Sequence, residues 1–343
     1  MIKYDTYQSP YRPEGMLMSL AENREAISSL QGLERAMHQG KILESTVLLC
    51  DSELNLHVDL YGIRVIITRS EAVLARDGEA VKDIAIITRV GKPVCFKVLS
   101  IDMRDGEPVA ILSRRAAQLD CMQSYLSGLT CGDVIPARVT HMEPFGAFVD
   151  VGCGIASLLT IDCLSVSRIS HPRDRLKNGQ VIACVVKAID REHHRLFVSQ
   201  KELLGTWEEN AAFFEAGQTV TGIIRSVESY GIFVELAPNL AGLAEVRESD
   251  IEQLRRHVGQ NAAVYIKSIV PERMKIKLVL IDPSCGTPTV RPIKYYVDPE
   301  QTPHLSHSAS RMCGDKIWNQ FAFPSAAADN IVKLDAQALK KSE

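Results

Sequence analysis

The chain lacks the marks of several classes of protein. None of its nine cysteines forms a C-x-x-C pair, so the motif of zinc ribbons and thiol redox enzymes is missing. No Gly-rich phosphate loop, G-x-S-x-G elbow or H-E-x-x-H motif occurs, and we therefore expect no enzyme, no cofactor and no small-molecule substrate. No apolar run approaches the ~18 residues of a membrane span, and no N-terminal apolar segment resembles a signal peptide. We expect a cytoplasmic protein with reduced thiols and no membrane partner.

Net positive charge is also missing. The chain has 39 Lys and Arg against 42 Asp and Glu, a formal net charge of −3, and only 6% aromatic residues. These numbers exclude a protein that binds nucleic acid through its total charge, so any such affinity must come from a local surface. The remaining composition, 46% hydrophobic over 343 residues, is that of an ordinary protein of two or three domains.

Two short stretches stand out against this background. They read PFGAFVDV from residue 144 and YGIFVEL from residue 230. In both, an aromatic residue precedes a glycine and a second aromatic follows on an alternating, β-branched run, which predicts a strand. Alternation places Phe148 on the strand face of Asp150 and Phe233 on that of Glu235, and we interpret an aromatic beside an acid as exposed. Aromatic side chains exposed on a strand can stack unpaired bases.

The two stretches belong to a duplicated unit at 131–201 and 216–282, in which each copy predicts five strands. Residues 41–115 predict five more strands without the aromatic motif, which we interpret as a degenerate barrel that contacts protein or the neighbouring domains. The predicted fold is mainly β, with three tandem five-stranded barrels of the oligonucleotide-binding (OB) type, an N-terminal helix and inter-barrel helices. The other expected segments are an arm and helix at 1–40, a linker helix at 116–130, a spacer helix at 202–215 and a Pro- and Ser-rich, partly disordered extension at 283–343.

Three local expectations can be compared with a structure. Helical spacing of apolar residues predicts one helix from Gly15 to Gln39. Thr206, with a glutamate three residues later, predicts a capping box at the start of the spacer helix. In the extension, we expect Tyr295–Val297 and Lys316–Phe323 to pack onto the last barrel.

Four segments of the first copy together carry a family resemblance. They read GDV from residue 132, PFGAFVDVG from 144, GQV from 179 and RLFVSQK from 195. This set resembles the RNA-binding domain of small ribosomal subunit protein one, the S-one domain. The second copy, with TWEE from 206 and YGIFVELAP from 230, is similar to the following repeat of that family, and residues 41–115 are similar to a degenerate N-terminal repeat.

The resemblance implies an RNA-binding face across the second and third strands of each barrel. Family members use two aromatics, a His that ends the third strand, and an Asp and an Arg of the last hairpin. In the first copy these positions hold Phe145, Phe148, Thr160, Asp190 and Arg195, so the His is replaced by Thr. In the second copy they hold Tyr230, Phe233, Glu245, Val270 and Lys275, and Glu245 would repel phosphate.

Judged from the residues alone, two further sets of histidines are candidate contacts. His141, on the predicted first strand, lies close to the aromatic face and is a candidate RNA contact. His193 and His194 lie in a predicted turn, where solvated side chains are favoured over a phosphate contact. A zinc site built from Cys285, His304, His307 and Cys313 is disfavoured, because the spacing matches no familiar ligand pattern.

Local charge separates the two copies. Residues 131–201 hold nine Lys and Arg against seven Asp and Glu, a net charge of +2, whereas residues 216–282 hold eight of each. So few cations predict modest affinity in which base stacking, worth about 1–3 kcal/mol per base, contributes much of the binding. We therefore expect the first copy to be the principal RNA-binding barrel.

Three functions are consistent with this sequence. The favoured one is noncatalytic binding of single-stranded RNA, with mRNA as the expected ligand, at the small ribosomal subunit during translation. The second is regulation of mRNA turnover or transcription without attachment to the ribosome. The third is a protein-interaction scaffold with weakened RNA binding, which the neutral charge and Glu245 permit.

Overall fold

The computed structural model of the chain describes residues 9–60, 62–75, 81–104, 106–191, 195–286 and 293–305. These residues form three closed five-stranded barrels, which confirms the predicted fold class. No helix within these ranges has the length and apolar character needed to cross a membrane.

The N-terminal region contains two helices where the sequence predicted one. They are α1 (Ala21–Ile27) and α2 (Leu30–Gln39). The break lies at Ser29, whose extended backbone lets its hydroxyl accept a 3.1 Å hydrogen bond from the Gly32 amide and so cap α2. Gly40 ends α2 in the left-handed conformation (φ 62°), as its position predicted. The apolar periodicity was therefore right, but a competing serine cap interrupts it.

The first barrel closes in the strand order β1-β2-β3-β5-β4. β3 and β5 pair in parallel and the other neighbours are antiparallel, so the sheet is mixed. Alternate side chains such as Val47, Phe96 and Leu112 fill its interior and are fully buried. Its elements are β1 (Leu43–Cys50), β2 (Leu56–Val58), β3 (Arg64–Ile67), α3 (Asp83–Ile87), β4 (Pro93–Arg104) and β5 (Glu107–Ser113).

A short helical segment joins the first two barrels. α4 (Arg114–Asp120) continues into a single π turn at Cys121–Tyr125 and a 3₁₀ turn at Leu126–Gly128. Arg114 is fully buried here and donates from Nε to Glu14 at 2.6 Å and from its Nη2 to the second carboxylate oxygen at 3.0 Å. This two-bonded ion pair ties the N-terminal arm to the linker.

The second and third barrels repeat the topology of the first. Each closes in the same mixed order, with its third and fifth strands parallel. The second contains β6 (Val134–Glu143), β7 (Gly146–Asp150), β8 (Ala156–Thr160), β9 (Val181–Asp190) and β10 (Arg195–Ser199). The third contains β11 (Thr219–Glu228), β12 (Gly231–Ala237), β13 (Leu240–Ala244), α6 (Ile251–Arg255), β14 (Asn261–Val270) and β15 (Lys275–Asp282).

The connection between these barrels is shorter than the predicted spacer. Its helix, α5 (Trp207–Ala211), has five residues and starts at the predicted capping box of Thr206 and Glu209. Asn239 of the third barrel also crosses this junction, because its side-chain amide donates to the carbonyls of Lys201 (2.9 Å) and Gly205 (2.8 Å). Its carbonyl oxygen also accepts from the Val166 amide at 3.1 Å. A buried, fully paired asparagine fixes a junction because each bond lost inside leaves an unsatisfied polar group.

The C-terminal segment 293–305 packs on the second barrel, which corrects the prediction for Tyr295–Val297. The Tyr295 hydroxyl accepts from the Ala183 amide at 2.8 Å, and Pro303 accepts from the Val134 amide at 3.0 Å. Residues of β6 and β9 are thereby covered in a small apolar cluster. Lys316–Phe323 lies outside the described residues. Sequence patterns do not reveal which of two similar barrels such a segment selects.

Candidate nucleic-acid interface

Four outward side chains form one row across the second barrel. Strand register places His141 of β6 opposite Phe148 of β7, Phe148 opposite Leu158 of β8, and Leu158 beside Phe197 of β10. Neighbours on the same strands, such as Ala147 and Val149, point inward and are fully buried. With strands about 4.8 Å apart, the row spans about 14 Å. It is an apolar and aromatic surface wide enough for more than one base.

Aromatic rings cluster at the centre of this row. Phe145 meets Phe148 edge to face, with ring centroids 6.1 Å apart and an interplanar angle of 89°. His141 lies nearly parallel to Phe148 at 6.4 Å and 23°. Phe145 is 36% exposed and Phe148 is half-buried, so both rings can meet a ligand while Phe148 is held by its neighbours. The structure thus brings three predicted residues together.

The glycine of the motif allows two strands to approach closely. A Cβ on Gly146 would lie 2.5 Å from the carbonyl oxygen of Leu159, closer than real side chains come. Thr160 lies opposite Gly146 on β8, and Glu143 lies opposite it on β6. Glu143 accepts a 2.6 Å hydrogen bond from His141 Nε2 when that nitrogen carries the proton. Next to Phe145, at the Gly146 end of the strands, the face is therefore polar and carries an acid.

The opposite end of the strands, away from Gly146, carries the predicted arginine. Arg195 lies two residues before Phe197 on β10 and directly opposite Asp190 on β9. Its half-buried side chain shares the outward side of the strand with Phe197. Phe197 and Leu158 were missed from the sequence. The signal was present in the alternation of RLFVS, which places residues 195 and 197 on one face.

The acids that follow the aromatics are not exposed, which corrects one premise drawn from the sequence. Asp150 is 3% exposed, and its carboxylate accepts from the amides of Glu14 (2.6 Å), Gly152 (2.9 Å) and Gly154 (3.0 Å). Burial, together with the Glu14 carboxylate, raises the pKa of Asp150 to about 7. Asp150 joins the barrel to the N-terminal arm, so it is a junction residue and not a marker of an open face.

Glu235, the counterpart in the third barrel, is 4% exposed and also lies at a junction. It pairs with Arg175, from the loop between β8 and β9 of the second barrel, and accepts from Arg225 Nε at 2.7 Å. Arg225 in turn lies 3.3 Å from Asp174 of that loop. The outward position of each acid was predicted correctly, but its burial depends on segments distant in sequence.

The third barrel keeps the row but changes its chemistry. Its register places Ser226, Phe233, Leu243 and Lys277 in line across β11, β12, β13 and β15. Tyr230 meets Phe233 edge to face at 6.2 Å and 89°, which repeats the geometry of the second barrel. Histidine and the second phenylalanine of the row are thus replaced by serine and lysine.

The two ends of the strands that carry this second row differ in charge. Glu228 lies opposite Gly231, beside exposed Tyr230, and exposed Glu245 follows β13 at the same end. Lys275 is exposed at the other end, opposite Val270. This face is therefore negatively charged at its tyrosine end and positively charged at its lysine end.

The matching row of the first barrel is mostly aliphatic. Its register aligns Leu49, His57, Ile66 and Ile111 at the matching positions. His57 is engaged by Asp51 at 3.1 Å. At these four positions the first barrel therefore has three aliphatic side chains and a histidine, in place of the phenylalanines of the second barrel.

In the part of the chain that the structure describes, the remaining histidine and zinc candidates do not come together in one site. His193 and His194 lie outside the described residues, as do His307 and Cys313. His304 contacts Asp133 through Nδ1 at 2.7 Å, while Cys285 is exposed. Among the described residues, no cluster of three or more His, Cys, Asp or Glu is arranged to hold a metal ion.

Fold and face together define a protein of tandem OB barrels, one of which carries an outward row of aromatic and apolar side chains. Residues 129–201 match the family model described as the S1 RNA binding domain, which confirms the resemblance to the S-one domain.

Several similar proteins are proteins of the small ribosomal subunit. The chain is 27% identical over 263 residues to small ribosomal subunit protein bS1 of Rhizobium meliloti, covering 74% of this chain and 44% of that protein. It is 31% identical over 208 residues to bS1 of Rhodopseudomonas palustris, covering 59% and 35%. It is also 31% identical over 197 residues to the bS1 homolog of Bacillus subtilis, covering 56% and 48%. The chain spans less than half the length of each of these relatives.

Proposed function

We propose that the chain is a noncatalytic binder of single-stranded RNA and that the second barrel is its principal binding surface. The observation that carries the proposal is the row of His141, Phe148, Leu158 and Phe197 with Phe145 at its edge. Stacking on such rings contributes about 1–3 kcal/mol per base and tolerates any base. Duplex RNA hides its base faces, so the surface favours unpaired strands.

Charged groups support modest, salt-dependent binding. Arg195 lies at one end of the row, and the predicted Asp190 faces it across the hairpin. Thr160 takes the place of the family histidine at the other end, while His141 contributes an imidazole from the neighbouring strand. Few cations adjoin the face, so we expect a shallow dependence of affinity on salt.

The cellular role that fits these features is in translation. The relatives are small ribosomal subunit proteins, and we infer that this chain holds mRNA near the small subunit in the cytoplasm. The first barrel, which lacks a stacking row, would then serve contacts with protein or neighbouring domains. Sedimentation with small subunits at low salt is the expected behaviour, and absence from the subunit fraction would favour a role away from the ribosome.

RNA binding is tested by gel shift with unstructured poly(U) and poly(A). Wild-type protein should shift both, and the double variant Phe148→Ala with Arg195→Ala should shift neither at the same concentration. Arg35→Ala is the control, since Arg35 lies on α2 with an exposed side chain. Unchanged affinity of the double variant would show that the face is wrongly placed.

A further inference from the structure

We propose that Arg173, a residue of the second barrel, binds an RNA phosphate for the third barrel. The two faces would then share one contact at their junction. This inference rests on the proposed function, because it assigns a phosphate contact to an RNA-binding face.

The loop that carries Arg173 is fixed against the outer surface of the third barrel. This loop runs from the end of β8 at Thr160 to the start of β9 at Val181. Arg175 pairs with Glu235, and Asp174 lies 3.3 Å from Arg225. Further along, the Ser167 amide donates to the Pro238 carbonyl at 3.0 Å. These contacts, on both sides of Arg173, hold the loop in place.

The anchoring point lies beside the stacking ring of the third barrel. Glu235 is two residues from Phe233 on the same outward side of β12, about 6–7 Å along the strand. Arg175 covers Glu235, and Arg173 precedes Arg175 by two residues in the 3₁₀ turn Pro172–Asp174 and its continuation. An arginine side chain at this position has the reach to meet the backbone of a nucleotide stacked on Phe233.

Arg173 is available for a ligand. Its side chain is exposed, and it forms no ion pair with any residue in the described part of the chain. Neighbouring charges differ in this respect, because Arg175 and Arg225 are balanced by Glu235 and Asp174 in a largely buried group. An exposed guanidinium without a carboxylate partner is suited to bidentate phosphate binding.

Charge on the third barrel indicates where the backbone passes. Glu228 and Glu245 lie at the end of the strands next to Tyr230, and their negative charge disfavours phosphate there. Lys275 lies at the Glu235 end, and Arg173 is at that end too. The third barrel supplies the exposed Lys275 to this end, and the loop of its neighbour adds the exposed Arg173. A barrel that looks weak alone therefore gains part of its site from the barrel before it.

The experiment is a set of poly(U) titrations on the full chain, followed by fluorescence anisotropy at several salt concentrations. Arg173→Ala is placed in three backgrounds: the wild type, Phe145→Ala with Phe148→Ala, and Tyr230→Ala with Phe233→Ala. Arg35→Ala, an exposed arginine on α2, is the matched control in each.

The expected result is selective. Arg173→Ala should weaken binding on the order of three- to tenfold in the first two backgrounds and lower the slope of log affinity against log salt by about 0.7. It should change affinity by less than about twofold where Tyr230 and Phe233 are absent, because the shared strand is no longer held there. Arg35→Ala should have no effect in any background.

Other outcomes separate two failures. If both aromatic pairs matter but Arg173→Ala behaves like Arg35→Ala, the inference is wrong and the proposed function stands. If Arg173→Ala acts only when Phe145 and Phe148 are intact, Arg173 serves its own barrel and the inference is again wrong. If neither aromatic pair affects affinity, the proposed function fails, and the shared site fails with it.

Discussion

The second and third barrels share strand order, register and the edge-to-face aromatic pair, yet their outer faces differ. The second has His141 and Phe197 in line with Phe148, whereas the third has serine and lysine at these positions. The second barrel's junction acid is held by three backbone amides, and the third barrel's acid is held by two arginines. One duplicated frame thus supports an aromatic and apolar row in one copy and a row containing serine and lysine in the other.

The largest effect is expected from removing the acid of the third barrel's junction. Glu235→Ala leaves Arg175 and Arg225 nearly buried without their shared partner, which costs about 3–5 kcal/mol of unfolding free energy. Calorimetric unfolding should show a large drop in the melting temperature. Glu252→Ala is the control, since Glu252 is 81% exposed and pairs only with Arg255, so it should change stability by less than about 0.5 kcal/mol. Equal melting temperatures for the two variants would mean that the ion pairs do not hold the junction.

The next effect compares the two stacking pairs directly. Phe145→Ala with Phe148→Ala should reduce poly(U) affinity about ten- to a hundredfold, since rings that stack up to two bases are lost. Tyr230→Ala with Phe233→Ala should reduce it only about two- to tenfold, because that face has a narrower platform and an acidic end. Titrations under one salt condition decide the order. A larger loss from the tyrosine pair would reverse the ranking of the barrels.

A smaller effect is expected from exchanging one side chain between the copies. Glu245→Thr gives the third barrel the residue found at position 160 in the second, and it removes a negative charge from the face. Poly(U) affinity should rise about two- to fivefold at low salt, in keeping with an exposed charge interaction of up to about 1 kcal/mol, and the gain should shrink in high salt. The reciprocal Thr160→Glu should lower affinity. If neither exchange alters binding, these strand ends do not meet the RNA.

A separate comparison concerns pH and the junction acid of the second barrel. The pKa of Asp150 is about 7 in the folded chain and near ~3.9 unfolded, so the folded state binds the proton more tightly. The stabilisation is complete below about pH 4 and is lost as pH rises to about 7. Melting temperatures of the wild type and Asp150→Asn should therefore move apart over this window and stay parallel above it. Parallel curves throughout would place the pKa of Asp150 near its ordinary value.

Local sequence predicted the barrels well because their signals are local. Period-two alternation and β-branched residues define β6 through β10, and the glycine before Phe148 marks the start of β7. Thr206 and Glu209 specify their capping box within four residues. The apolar period around Ser29 misled, because a side-chain cap outweighed it, and the spacer helix is shorter than its pattern predicted.

Burial of the junction acids could not be predicted in the same way. Asp150 is buried by Glu14, more than a hundred residues earlier, and Glu235 is buried by Arg175 of another barrel. Alternation states which side of a strand a residue occupies, but it does not state what covers that side. The same reason explains why the packing partner of Tyr295 was wrongly assigned.

The position of segment 293–305 in the sequence affects how the second barrel is completed during synthesis of the chain. The segment covers Val134 and Ala183 of the second barrel and Leu203 of the connection that follows, although that barrel's last strand ends at Ser199. During synthesis at about 5–20 residues per second, this apolar patch waits roughly 5–20 s for the covering segment, about a hundred residues later. The third barrel is completed within that interval. Truncation after residue 282 would leave the patch permanently uncovered, so a shortened chain should be the more prone to aggregate.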